Sequence, residues 1–297
     1  MKGSEGSRQG LNAAAARPGS VVRRVREQAG AHVRALTRSN SGLTLDYDNP
    51  PGDPGLFGPD AVCWRVHGDF PAMLAGGVSA LLMQTMHPLA LAGVWDHSSF
   101  RTDMQGRLGR TAQFIAGTTY GNRADAMRLI ERVRRIHAGV TGTAPDGRAY
   151  AASDPALLTW VHVAEVSSFL AAYLRYVGPL SHAEQDRYFD EVALVAELLG
   201  ATEVPRSRDQ IAAYLDRMRP QLLVTERTHE VVRLVMQMPV ANPLLVPAVR
   251  IMADAGIALL PEWVRRELGL AGASVSALRR PLSLAGMRVL APTLRWS

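Results

Sequence analysis

The sequence predicts an all-α fold, built as a single globular domain of many helices. Apolar residues recur at three- and four-residue spacings in one segment after another, which is typical of amphipathic helices. No segment shows sustained alternation of apolar and polar residues between turn signals, and no repeat of fixed period appears. The 297 residues are 47% hydrophobic and 20% charged, which is the composition of a globular protein with a substantial core.

Composition and pattern divide the chain into four parts. Residues 1–17, rich in Gly, Ser, Ala and Arg, predict a disordered basic N-terminus. Residues 18–57 predict an amphipathic helix over 18–39, followed by a loop in which prolines and glycines preclude long regular structure. We expect residues 58–270 to form the helical domain and residues 271–297 to form a basic C-terminal extension.

The charge balance is basic, with a formal net charge of +6, and its basic residues are concentrated at both ends of the chain. Basic segments can contact phosphate, either in nucleic acid or at a membrane surface. No zinc-finger, helix-turn-helix or aromatic RNA-binding signature accompanies the charge, so we expect no nucleic-acid partner. Peripheral contact with a membrane stays open, and the sequence does not indicate an oligomeric state.

Cys63 is the only cysteine, which excludes disulfides within the chain and clusters of thiolate metal ligands. The first 20 residues lack the continuous apolar run of a secretory signal. We therefore expect a cytoplasmic protein.

The most apolar stretch runs from residue 70 to residue 95 and is long enough to span a bilayer. Prolines, glycines and polar side chains interrupt it, and lipid would not satisfy those polar groups. We predict a central buried helix, and no transmembrane span. It should end or kink at Met86, because Pro88 disfavours helical backbone before it.

The other helices are predicted from apolar spacing and from the signals at their ends. Pro59 and Asp60 open a short helix, residues 93–102 look irregular, and a Pro-Asp-Gly turn follows the helix around residues 126–141. Ser153 or Asp154 should cap the next helix. The helices predicted from there onward span 155–177, 182–199, 207–218, 220 or 221 to 237, 248–260 and 262–268.

The segment 126–141 sets a histidine among apolar residues. Ile130 and Val133 recur with Met127 and Val140 at helical spacing, and His137 falls in line with Ile130 and Arg134. This pattern predicts one imidazole and one guanidinium pointing inward.

A buried arginine is costly without an anion, so Arg134 and His137 suggest an internal ligand that is metallic at one end and anionic at another. Haem fits that description. The other interpretation is a hydrogen-bonded core histidine, with Arg134 paired to a carboxylate of a neighbouring helix.

Two further groups of polar residues are candidates for chemistry. Arg107, Arg110 and Thr111 share a predicted helix face, and they could hold bound oxygen or anchor haem propionates. Arginines at helix ends are more commonly solvated, and a lone threonine is commonly just packed. His162 and Glu165 resemble half of a carboxylate-bridged di-iron site, but no second Glu-X-X-His copy exists, and a structural hydrogen bond is the alternative. Phosphate-binding glycine loops, nucleophile elbows and His-Glu-X-X-His are absent.

Five blocks in order closely resemble the MpaB-type oxygenases, a family that includes the catalytic domain of the latex clearing protein or rubber oxygenase. The resemblance covers about residues 58–270. The blocks are GPDAVCWRVHGDFPAMLAGG, LMQTMHPLALAGVWDHSSFR, GRLGRTAQFIAGTTYG, RRIHAGVTGTAPDGRAYAASDPALLTWVH and FLAAYLRY.

The resemblance implies an all-helical protein with a globin-like core that binds haem b and uses dioxygen on a hydrophobic, isoprenoid or polyprenyl-like substrate. His137 in RRIH matches the axial iron ligand, and Arg134 matches the arginine before it. Arg107 and Thr111 in RLGRT match polar residues near the haem and its oxygen-binding side.

Arg110 stands where some relatives place a lysine, and arginine keeps its proton and cannot ligate iron. It stays a candidate for binding the cofactor. Asp96 is the carboxylate that we would test first as a catalytic base. The rival hypothesis is a domain that binds haem or a hydrophobic small molecule without turning it over, or an interaction module.

Overall fold

The computed structural model describes residues 50, 52–238, 243 and 246–270. Helices take up about 71% of these residues, which confirms the all-α prediction. The globin-like arrangement of the core stays a prediction. The expected segments 1–17, 18–39 and 271–297 lie outside the described residues.

In this part of the chain the α-helices are α1 Val62–His67, α2 Phe70–Gln84, α3 Pro88–His97, α4 Met104–Tyr120, α5 Arg123–Ala138, α6 Pro155–Tyr176, α7 His182–Leu199, α8 Arg208–Met218, α9 Glu226–Met236, α10 Val246–Leu259 and α11 Glu262–Glu267. Short 3₁₀ helices span Ser99–Arg101 and Arg219–Gln221. An antiparallel hairpin pairs β1 Thr141–Thr143 with β2 Ala149–Ala151.

Helix α2 lies at the centre of the core, as predicted, and packs against α6 and α10. Asp69 caps its N-terminus, and the carboxylate of Asp69 accepts a hydrogen bond from the amide of Ala72 at 3.0 Å. Gly76 permits the close crossing with α6, because a Cβ there would lie 2.8 Å from Cδ1 of Phe169. This packing fixes the wall of α2 that faces the cavity described below.

The predicted break before Pro88 is confirmed. Helix α2 ends at Gln84, α3 begins at Pro88, and their axes differ by 108°. His87 caps α3 by accepting a hydrogen bond from the amide of Ala90 at 3.4 Å. The prediction of irregular structure over 93–102 is wrong in its first half, because α3 continues to His97 before the 3₁₀ turn. The break turns α3 across the end of α2.

Helix α6 matches its predicted bounds to within one residue, and Asp154 caps it through the amide of Ala156 at 2.8 Å. By length and composition it could cross a membrane, and the bent pair α2 and α3 passes the same test together. However, 61% of the apolar window of α6 is buried inside the protein. The apolar side chains of α6 therefore pack largely within the protein core.

Two local predictions differ from the structure. Helix α9 begins at Glu226, five or six residues later than expected, because residues 222–225 are not helical. There the amide of Leu223 donates to the carbonyl of Met86 at 2.8 Å, and Thr225 with Thr228 forms the capping box of α9. The Pro-Asp-Gly turn was predicted, but the hairpin around it was not, since its three-residue strands are too short to show alternation.

Candidate functional site

A cavity of about 380 Å³ lies among α2, α3, α4, α5, α6 and the hairpin. Its size falls within the range of small-molecule and cofactor pockets, about 300 to 1,000 Å³. Aliphatic side chains form much of the wall, including Leu81, Leu89, Val94, Val140, Leu158 and Val161. The polar part of the lining consists of Gln84, Thr85, His97, Ser98, Ser99, Arg107, Arg110, His137 and Tyr150.

His137 is brought to this cavity by the last turn of α5. Asn122 caps the start of this helix by accepting a hydrogen bond from the amide of Asp125, and the helix buries Ala126, Leu129 and Ile130. Nδ1 of His137 is buried and makes no hydrogen bond. Burial, and then the charge of Arg107, lower the pKa of His137. The imidazole is therefore neutral at pH 7, with a ring nitrogen whose hydrogen-bonding capacity is unused.

The expectation that Arg134 points inward is wrong. Its side chain is 56% exposed, and its guanidinium lies 3.5 Å from the carboxylate of Glu131 on the same helix. Arg134 does not line the cavity. The sequence pattern placed Arg134 and His137 on one buried face, but only His137 lines the cavity.

Arg107 and Arg110 both line the cavity, whereas Thr111 is exposed and lies outside its lining. Arg107 is half-buried and donates to Oγ of Ser98 at 3.2 Å. Its pKa is lowered by burial and by Arg110. Arg110 is more exposed and lies 3.4 Å from the carboxylate of Asp103. The cavity thus has two guanidinium groups in its lining, and the charge of one of them, Arg107, acts on His137.

Asp96 lies beside the cavity and is not part of its lining. Its carboxylate accepts a hydrogen bond from the hydroxyl of Tyr150 at 2.7 Å and lies 3.7 Å from Nη1 of Arg227. Tyr150 is a lining residue that sequence reasoning missed, because it reaches the cavity only through the hairpin. His97 was also missed, although it directly follows Asp96, and its Nε2 lies 3.0 Å from the carbonyl of Thr141.

The other histidines of the apolar segments lie outside the lining. His67 is a satisfied core residue, between the hydroxyl groups of Thr119 at 2.9 Å and Tyr188 at 3.0 Å. His162 is half-buried, its Nε2 makes no hydrogen bond, and burial lowers its pKa to about 4. Glu165, one turn along, has its pKa raised to about 7 by burial, against the opposing effect of Arg107.

Glu165 should make stability depend on pH. Its pKa rises from 4.5 in the unfolded chain to about 7, so its favourable contribution is complete below pH 4.5 and is lost as the pH rises through 7. Glu165→Gln keeps the shape but does not ionise. We expect its free energy of unfolding, relative to wild type, to rise between pH 4.5 and 7 in urea titrations.

Exposed Glu203 provides the control, since Glu203→Gln removes a carboxylate that is not buried. The neutral histidines act in the opposite direction, but they are present in both proteins and cancel in the difference. A difference that stays constant across this interval would contradict the raised pKa of Glu165.

The residues of the cavity fit haem better than they fit a bare metal ion. In the part of the chain that the structure describes, no three His, Cys, Asp or Glu side chains lie close enough together to hold a metal ion. His162 and Glu165 therefore have no third metal-ligating side chain beside them there. Iron in a porphyrin needs only an axial protein ligand, and His137 offers an unused imidazole nitrogen. Arg107 and Arg110 provide positive charge for propionates, and aliphatic side chains provide walls for the ring.

A family model described as ER-bound oxygenase mpaB/B'/Rubber oxygenase, catalytic domain, matches residues 64–296. No curated protein and no solved structure gives a significant match to the chain. The family match covers most of the sequence and includes every residue assigned above to the polar part of the cavity. The chain therefore belongs to the mpaB and rubber oxygenase catalytic-domain family.

Proposed function

We propose that this oxygenase-family protein is a haem b-dependent enzyme that acts on a hydrophobic substrate. The observation that carries the proposal is the buried, unpartnered imidazole nitrogen of His137, in a largely aliphatic cavity with guanidinium groups on its wall. His137 is neutral, as an iron ligand must be, and no hydrogen bond from its Nδ1 holds the ring in another role, so the imidazole could bind iron.

The residues of the cavity have distinct tasks in this proposal. His137 binds the iron through a ring nitrogen, and Arg107 and Arg110 bind the propionate carboxylates. Bound haem supplies an iron centre that activates dioxygen. The bond from Arg107 to Ser98 holds the guanidinium in place before the cofactor arrives, which lowers the cost of ordering it. Asp96 is less suited to act as a base, since Tyr150 and Arg227 already surround it.

Aliphatic side chains of α2, α3 and α6 give the cavity an apolar wall. Leu81, Val94 and Val161 can contact an apolar chain but can donate no hydrogen bond to a polar one. Rubber, the polyisoprene named in the family description, is apolar throughout. We therefore propose an isoprenoid-like chain as the substrate class, with dioxygen as the second reactant.

An absorption spectrum and a pyridine haemochrome assay of the purified full chain, supplied with haemin, test the cofactor. We expect a Soret band and about one haem b per chain. Oxygen uptake with isoprenoid alcohols and acids then tests turnover. Stoichiometric haem without any oxygen uptake would favour the non-catalytic binding module, and a colourless protein after haem supplementation would refute the haem proposal itself.

A further inference from the structure

Two guanidinium groups converge on one indole beside the cavity. Cζ of Arg101 lies 4.6 Å from the ring centre of Trp95, and Cζ of Arg227 lies 5.0 Å from it. Each is within the distance at which a cation is attracted by the face of an aromatic ring. The two positive charges are therefore held within about 10 Å of each other, although they come from distant parts of the sequence.

The surrounding groups do not neutralise both charges. Asp96 faces Arg227 at 3.7 Å and also accepts the hydroxyl of Tyr150. Nη1 of Arg227 is buried and makes no hydrogen bond. Arg101 is exposed, and its guanidinium donates a hydrogen bond to the neutral carbonyl of Trp95 at 3.5 Å. Within the described residues, no carboxylate lies at ion-pair distance from Arg101, so the cluster carries an excess positive charge.

This cluster, which we call the Trp95 cluster, adjoins the polar part of the cavity. Residues 97–99 line the cavity and connect Trp95 to Arg101 along the chain. Tyr150 connects the two, since it lines the cavity and its hydroxyl donates a hydrogen bond to Asp96, which in turn pairs with Arg227.

We propose that Arg101 and Arg227 bind the anionic head group, carboxylate or phosphate, of an amphiphilic substrate whose apolar chain enters the cavity. This proposal rests on the cavity being the substrate site, as proposed above. Guanidinium groups bind both anions through paired hydrogen bonds, and stacking on Trp95 restricts their orientation before the ligand arrives. A wholly apolar chain would leave these groups unused.

The test compares three probes with the same twelve-carbon chain: dodecanoate, dodecyl phosphate and dodecanol. Each is titrated below its aggregation concentration into the purified full chain by calorimetry. We expect at least one anionic probe to bind more tightly than the alcohol, and the anion that binds better identifies the head group. Arg101→Gln with Arg227→Gln should weaken its binding by about tenfold or more, and should leave dodecanol binding unchanged.

Arg217→Gln with Arg219→Gln is the matched control. These arginines also lie over aromatic rings, Arg217 over Tyr214 at 5.6 Å and Arg219 over Trp263 at 4.9 Å, and the change in net charge is the same. The control pair should retain the affinity of the wild type for the anionic probe. An equal loss in both pairs would show a general charge effect and overturn the proposal.

Two further results would also overturn it. One is equal affinity of the wild type for all three probes. The other is loss of haem from the variant of Arg101 and Arg227, which would assign these guanidinium groups to the cofactor. The probe titrations do not require bound haem. A protein that selects the anionic probe yet takes up no haem would therefore refute the proposed function and leave the head-group site standing.

Discussion

Replacing His137 with alanine is expected to abolish haem binding, so that the Soret band and the haemochrome signal fall to background. Burial and the charge of Arg107 keep the imidazole neutral, as an iron ligand must be. No second imidazole in the lining is unengaged, since Nε2 of His97 already bonds to the carbonyl of Thr141. Added imidazole should partly restore the Soret band, because it can occupy the space that the truncation leaves.

His97→Ala is the matched control for this prediction, because it removes an imidazole from the same cavity and leaves His137 intact. We expect it to retain nearly the wild-type haem content. Circular dichroism of both variants separates loss of the ligand from loss of the fold. If the His137 variant kept haem and the His97 variant lost it, the iron ligand would be His97 on α3, and the assignment of His137 would be wrong.

The position of His137 could be predicted from the sequence, but that of Arg134 could not. Successive residues of an α-helix lie about 100° apart, which puts Arg134 about 40° from Ile130 on one side and His137 about 20° from it on the other. Spacing alone allows both to be buried. The buried arc of α5 extends through Ala126 and Leu129, and so includes His137 but not Arg134. Packing of the neighbouring helices sets that rotation, and the sequence of α5 does not record it.

Helical spacing also placed Arg107 and Thr111 together on α4, although only Arg107 lines the cavity. Both match the family pattern, but only Arg107 meets α3, where Ser98 accepts its hydrogen bond. Tyr150 and the Trp95 cluster escaped prediction for a related reason. Trp95 and Arg227 are far apart in sequence, and their contact exists only after α9 packs beside α3. Polar sites assembled from several elements leave no local spacing pattern.

Helix ends were predictable where a local signal sets them. Asp154 with Pro155 starts α6, and Pro88 ends the helical backbone before it, as the sequence indicates. The start of α9 was misplaced because the competing signal is a tertiary hydrogen bond, from the amide of Leu223 to the carbonyl of Met86. A helix end that is set by local capping can be predicted from neighbouring residues. A helix start that is set by a hydrogen bond to a distant part of the chain cannot.

Gly256→Ala should destabilise the protein by about 1 to 3 kcal/mol, since it overpacks the crossing of α10 with α2. A Cβ at Gly256 would lie 2.6 Å from Cβ of Val78 and 2.7 Å from the backbone carbonyl of Ala75. Neither atom belongs to the end of a flexible side chain, so the helices themselves must separate. The midpoint of urea unfolding, followed by circular dichroism, measures the loss.

Gly77→Ala is the matched control, because Gly77 is also helical and a Cβ there would meet no atom within 4 Å. Alanine is the better helix former, so this variant should be unchanged or more stable by about 0.5 to 1 kcal/mol. Because the two variants should change the free energy of unfolding in opposite directions, the comparison distinguishes crowding at the helix crossing from helix propensity. Equal midpoints for the two variants would mean that α10 can shift on α2 without cost. In that case the cavity wall formed by Leu81, Gln84 and Thr85 on and just after α2 would not depend on this contact.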